Sequence, residues 1–389
     1  VSLSTNFPTI RPSLLLDFAK SRTVDPRITF TRASTATYFD EDGVLQSAAV
    51  DRPRIDFNPS TLVCNGLLIE EQRTNIFPNS NDFSNATYWT VYGTAVATAG
   101  AATGPDGLTS ASNLAGATTT TLGGDNIEES ISISASTAYT FSVFVKSNGG
   151  TTVELRLRDS TGGSTSTATL TVTSAWQRIS LTRTMAAGAT SVRCIIGATN
   201  GDIFIYGAQL EAGAFATSYI PTTTTALTRN ADVASMTGTN FSSWYSASEG
   251  TLYAEYGNIA QTGSGAGRRI FTVSDGTTSN QISLRWADGA GLTNASVLVS
   301  GSQVVDITGS VSATSKAAFA YKLNDYAISR NGGAVTTDTS ATVPSVNTAY
   351  FGIGADGSST GAQILNGHIR RLTYYPARLV NAQLQALTL

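Results

Sequence analysis

Ile203-Phe204-Ile205-Tyr206-Gly207-Ala208-Gln209-Leu210-Glu211 alternates in polarity and runs on to Ala216-Thr217-Ser218-Tyr219-Ile220-Pro221, where a proline stops any ladder. Leu365-Asn366-Gly367-His368-Ile369-Arg370-Arg371-Leu372-Thr373-Tyr374-Tyr375-Pro376 repeats the period and the stop. Alternation of this kind belongs to half-buried strands, whose side chains point to opposite faces at successive positions. Each stretch reads as the closing strand of a β-sandwich. The chain therefore reads as all-β, two antiparallel sandwiches in series.

Working back from Tyr206, residues 79–222 read as a sandwich of about eight strands. Ala138-Tyr139-Thr140-Phe141-Ser142-Val143-Phe144-Val145-Lys146 places Tyr139, Phe141, Val143 and Val145 on one face. Asn148-Gly149-Gly150 is a hairpin signal, and Val153-Glu154-Leu155-Arg156-Leu157-Arg158 returns with the same period. Trp176-Gln177-Arg178-Ile179-Ser180-Leu181 adds a further strand. Thr222-Thr223-Thr224-Thr225 is a polar connector and sets the boundary. Residues 223–389 then repeat the pattern, from Leu252-Tyr253-Ala254-Glu255-Tyr256 to the Tyr374 strand, and close with a short helix capped by Asn381.

Residues 1–78 differ. They carry Pro8, Pro12, Pro26, Pro53, Pro59 and Pro78, six of the 10 prolines. Proline donates nothing to a ladder, so this leader is expected to be extended, irregular and edge-like, suited to packing against a neighbour. Thr31-Arg32-Ala33 in the leader has a counterpart in Thr228-Arg229-Asn230-Ala231-Asp232. That symmetry suggests one domain begun before residue 78 and finished after residue 223, with the first sandwich inserted into it.

The chain has 389 residues, of which 41% are hydrophobic and 13% charged, with a net charge of −3. The hydrophobic residues fall in strand-length runs, which argues against disorder. The charge gives no electrostatic footprint for nucleic acid or an anionic membrane. Leu14-Leu15-Leu16 is too short for a signal peptide or a membrane span, so no membrane insertion is expected. Cys64 and Cys194 lack metal-ligand spacing and read as small buried residues.

Arg27-Ile28-Thr29-Phe30-Thr31-Arg32-Ala33-Ser34, Asp42-Gly43-Val44-Leu45, Pro53-Arg54 and Gly66-Leu67-Leu68-Ile69-Glu70-Glu71-Gln72-Arg73-Thr74-Asn75 together resemble the leader of tailed-phage and prophage fibre or spike proteins. In them it precedes a carbohydrate-binding jelly roll, whose closing strand the Tyr206–Pro221 stretch resembles. Asn366–Leu387 is similar to the end of concanavalin A-like, laminin G-like lectin domains, and head spikes of phages and gene transfer agents resemble the whole order. The resemblance implies a non-enzymatic virion-surface protein, on capsid or tail, that is assembled in a bacterial cytoplasm and binds host-surface glycan. It also implies a homotrimer that contacts other virion proteins through its N-terminal segment. The alternatives are a purely structural decoration protein and a glycan-depolymerising enzyme.

Sugars are held by aromatic faces flanked by carboxylates, amides and guanidiniums. On that basis the candidate carbohydrate residues are Trp89 and Tyr92 in the first sandwich, and Trp244, Tyr245, Arg268, Trp286 and Asp288 in the second. Asp125, Glu128 and Asp202 are the candidate oxygen ligands for a structural Ca²⁺, the one cofactor the sequence leaves room for. For catalysis little is offered. Glu128 and Glu129 point to opposite faces of a strand, and His368, the single histidine, comes without a Gly-x-Ser-x-Gly elbow.

Overall fold

The computed structural model describes residues 7–122, 124–162, 165–199, 201–260, 267–287, 292–308, 315–357 and 363–389. Antiparallel sheets dominate it, and helices among the described residues are short, at Phe18–Ser21, Gly238–Ser242 and Asn381–Thr388. In the last, Val380 rather than Asn381 is the cap; the Gln383 side chain accepts from the Val380 N–H at 3.3 Å. Leu384 and Leu387 are both buried, as their spacing predicts.

Residues 90–212 form two five-stranded sheets packed face to face. Among the described residues ten strands stand where about eight were expected. Two that alternation does not reveal are Val96–Ala102 and Thr165–Thr171, built almost wholly from Ala, Thr and Ser with one large apolar residue apiece. The core between the sheets holds Phe141, Val143, Leu155, Leu157, Ile179, Leu181, Ile203 and Ile205. These are the inward halves of the alternating runs.

The second sandwich pairs an eight-stranded with a seven-stranded sheet. Both ends of the sequence build it. The closing strand Gly367–Tyr375 pairs with Glu249–Gly257 on one side. On the other it pairs with Leu14–Asp17 and Cys64–Ile69, both from the leader. Cys64–Ile69 is an interior strand, with Ile55–Phe57 beyond it, so this part of the leader is not edge-like. Thr29–Thr31 joins the opposite sheet through Val233–Thr237. Leu14, Leu16, Phe30, Leu67 and Ile69 accordingly share one core with Leu252, Phe271, Phe319 and Tyr374.

The chain leaves this sandwich along Arg73–Asn75 and returns along Leu227–Arg229, and these strands pair antiparallel as a two-stranded neck. Asn75, fully buried, clamps the neck to the jelly-roll side. Its Nδ2 donates to the Ala208 and Ile220 carbonyls, and its Oδ1 accepts from the Phe77 and Leu210 N–H groups.

Behind the neck lies a buried ionic cluster built from the leader motifs. Arg32 Nη1 donates to Asp232 Oδ1 at 3.0 Å, and Arg54 Nη2 to Asp232 Oδ2 at 2.6 Å. Arg54 Nη1 pairs with Glu70 at 2.8 Å, and Arg229 approaches Glu70 at 3.6 Å. Glu70 also accepts from the N–H and Oγ of Ser218, on the jelly-roll side. Burial by itself would raise the Glu70 carboxyl. The Arg229 and Arg54 guanidiniums and the Ser218 hydrogen bonds outweigh it and hold Glu70 far below the usual carboxylate range.

Glu129 is the opposite case. It shares a face with Ile127, points into the jelly-roll core opposite Cys194, and its Oε2 accepts no hydrogen bond among the described residues. Burial pushes its carboxyl up to about 8. A group whose folded pKa is raised gives up stability as pH climbs from its unfolded value to its folded value, here from about 4.5 to about 8. Glu129→Gln carries no proton to lose over that range. It is therefore expected to be more stable than the parent at pH 8, by roughly 2–4 kcal/mol, and no more stable at pH 4. Urea denaturation at the two pH values measures this; an equal difference at both would refute it.

Candidate functional site

A cleft of about 870 Å³ opens where the leader, the jelly roll and the second sandwich meet. One wall is the leader hairpin Ala36–Phe39 and Leu45–Ala48, which lies on the outer face of the jelly-roll sheet containing Ala138–Asn148. Register decides what that face presents. Phe141, Val143 and Val145 point inward, so Phe144 and Lys146 point out. Phe144 is met edge-on by Phe39, with ring centroids 6.0 Å apart and planes at 75°.

Trp176 lies on the rim. Ile179 and Leu181 of the strand Gln177–Thr184 fill the core, so Trp176 and Arg178, offset from them by odd numbers, fall on the cleft side. The indole is half-buried, and its Nε1 donates to the Thr103 carbonyl at 3.2 Å, which fixes the ring plane. Lys146 Nζ stands 6.0 Å from the ring centroid and has no carboxylate partner among the described residues. Tyr38, Phe39 and Phe215 are the other half-buried aromatic residues on the cleft walls.

The floor is polar. His368, from the closing strand, and Asp56, from Ile55–Phe57, lie on the face opposite Ile369 and Leu67 and pair through Nε2 and Oδ2 at 2.9 Å. Asp56 Oδ1 accepts from the Phe39 N–H, so the same carboxylate fixes the aromatic wall. His368 Nδ1 is buried and meets no hydrogen-bond partner among the described residues, so no serine hydroxyl among them completes a triad through it. Asn58, Asn65, Asn258 and Asn366 add amides around the opening. Of the carboxylates lining the cleft, Glu70 is paired with Arg54 and Asp56 is hydrogen-bonded to His368. Flat aromatic faces with amides and an ammonium suit a polyhydroxylated ring.

Most of the residues singled out from sequence lie elsewhere. Trp89 is 1% exposed, packed on Phe83 at 4.7 Å with Nε1 donating to the Asn79 carbonyl; it is a core residue and offers no face to a sugar. Trp244 and Trp286, 2% and 1% exposed, sit in the second core for the same reason. Tyr245 stacks on Phe241 at 4.7 Å. Arg268 is buried, with Nη1 donating to the Ile364 carbonyl and its guanidinium over Phe215, so it braces a cleft wall from behind. Tyr92 stays half-buried on an outer strand of the other jelly-roll sheet, away from the cleft lining. Asp288 lies outside the described residues.

The three candidate calcium ligands do not converge. Asp125 accepts from Thr94 and Thr118, Glu128 pairs with Arg193 at 2.6 Å, and Asp202 accepts from the Gly116 N–H. No group of three or more His, Cys, Asp or Glu is placed to hold a metal ion among the described residues. Trp176, Tyr38, Phe39, Phe215 and Lys146 were not singled out from sequence. The odd offset of Trp176 from Ile179 and Leu181 was the available signal.

No family model matches the chain and no curated protein is significantly similar to it. Among solved structures it is similar to the CBM40 module of the Ruminococcus gnavus IT-sialidase bound to α2,6-sialyllactose. The identity is 18%, covering 37% of this chain and 84% of that one, with a TM-score of 0.31. It is also similar to the NanB sialidase of Streptococcus pneumoniae (14% identity, 40% and 26% covered, TM-score 0.32). A third is the enzymatically active domain of tailspike protein 4 from bacteriophage CBA120 (16%, 36% and 21% covered, TM-score 0.29). The chain thus spans about a quarter or less of the second and third.

Proposed function

We propose that the chain is a non-enzymatic surface fibre or spike of a phage-like particle, on capsid or tail, and that it binds host-surface polysaccharide in the cleft. The observation that carries the binding reading is Trp176, a half-buried indole fixed in plane on the rim of an aromatic and amide-lined cleft. The particle reading is supported by the resemblance of the leader to those of fibre and spike proteins. Single sugar contacts are weak, so attachment relies on many copies and on a symmetric oligomer, a trimer by analogy with phage fibres. Contacts to other particle proteins are assigned to the N-terminal segment.

A glycan array probed with the purified protein tests this. Trp176→Ala is expected to weaken binding of the best glycan by about 2 kcal/mol, roughly thirtyfold in Kd, as loss of an anchoring aromatic does. Its unfolding free energy should stay within about 1 kcal/mol of the parent, because the ring is half-buried at the rim and lies outside the core between the two sheets. Retention of no glycan by the parent protein would favour a structural decoration role. Steady release of new reducing ends from a bound polysaccharide would favour a depolymerase.

A further inference from the structure

The ionic cluster at the neck is unbalanced. Arg32, Arg54 and Arg229 contribute three buried positive charges, and Asp232 and Glu70 two negative ones. Among the neighbouring groups, Arg73 is matched by Glu71 and Arg178 is balanced by the nearby Glu211, while Asp51, which accepts from the Arg32 N–H, is exposed to solvent and stands outside the buried set. Arg229 bears the surplus. Its guanidinium is 1% exposed, and Nε, Nη1 and Nη2 all lack a hydrogen-bond partner among the described residues; Glu70 Oε2, at 3.6 Å, is an ion-pair neighbour only. A buried guanidinium with every donor unused is costly, and charge-assisted hydrogen bonds are what relieve it.

Arg229 also lines a second pocket of about 310 Å³, which shares Thr37 and Tyr219 with the walls of the cleft. The rest of that wall supplies hydroxyls from Ser34, Thr35, Ser47 and Thr228 and contains no acidic residue. Ser34 Oγ accepts the Asn230 N–H, which leaves its own proton free to be donated. An arginine fork beside small hydroxyl donors, whose one carboxylate neighbour, Glu70, is already held by Arg54 and Ser218, is a donor set that recognises oxyanions. We propose that this pocket binds a small oxyanion, either a free tetrahedral ion or the acidic group of a charged sugar, with Arg229 as its principal contact and the anion as the third counter-charge of the cluster. This does not depend on the glycan reading of the cleft.

The test is thermal unfolding of the full chain in sulfate, phosphate or glucuronate, with sodium chloride holding ionic strength constant. A saturable rise in melting temperature in the low-millimolar range is expected in at least one series. Response to sulfate and phosphate assigns the site to free tetrahedral ions, and response to glucuronate alone assigns it to acidic sugars. Thr35→Glu, at an exposed position of the pocket wall, places a competing carboxylate there and should raise the midpoint about tenfold or more without unfolding the protein. Arg229→Gln should abolish the response. Sulfate stabilises proteins generally by exclusion from their surface. A rise that does not saturate, or one that Thr35→Glu shares unchanged, overturns the proposal and leaves Arg229 solvated by water alone.

Discussion

Asp232→Ala is expected to lower the unfolding free energy by about 3–5 kcal/mol, the usual cost of removing one partner from a buried ion pair. The carboxylate takes a hydrogen bond from Arg32, another from Arg54, and a third from the Glu70 N–H at 2.9 Å. Alanine strands two guanidiniums where water does not reach, in a cluster that already carries excess positive charge. Asp232→Asn keeps the shape and one acceptor, and should fall between the parent and the alanine variant. Urea denaturation followed by tryptophan fluorescence measures both. A loss below about 1 kcal/mol for Asp232→Ala would show that the cluster is solvated and does not bind the neck together.

Trp89→Ala is expected to cost about 3–5 kcal/mol as well, through a different mechanism, the cavity left by a large core side chain. The indole packs against Phe77 and Phe83 with centroids 5.3 and 4.7 Å away, and its N–H satisfies the Asn79 carbonyl. The lost packing and the orphaned carbonyl act together. Trp89→Phe should recover part of the packing but not the hydrogen bond. Set beside Trp176→Ala, the two variants separate stability from ligand binding. Equal stability losses at positions 89 and 176 would refute the division of core and cleft drawn from the register.

Register explains what sequence revealed and what it hid. Strands with apolar–polar alternation, such as Ala138–Asn148 and Gly367–Tyr375, were legible because their large apolar residues fall mostly on the core face, although both faces are largely covered. Thr165–Thr171 was not, since small polar residues on an outer strand carry little periodic contrast. The leader's prolines lie between its strands and not within them, so Cys64–Ile69 enters the sheet interior unimpeded. For the site, tryptophan identity misled. Trp89, Trp244 and Trp286 are buried because large aromatics fill cores first, and the half-buried Trp176 is distinguished by parity alone. The cleft itself draws on residues from position 37 to position 368, and no local pattern encodes such a meeting.

The neck has a mechanical consequence. Its two strands run in opposite chain directions, yet both join the jelly roll at the same end, where Asn75 faces Leu227. Tension on the jelly roll therefore pulls the pair as one cable: the strands neither slide past each other nor peel apart, so the hydrogen bonds between them bear almost none of the load. The strain passes instead to the contacts that cross the junction, Glu70 with Ser218 and the Asn75 clamp. Load placed on the jelly roll would thus be held by a buried carboxylate and a buried amide, and would be released there first.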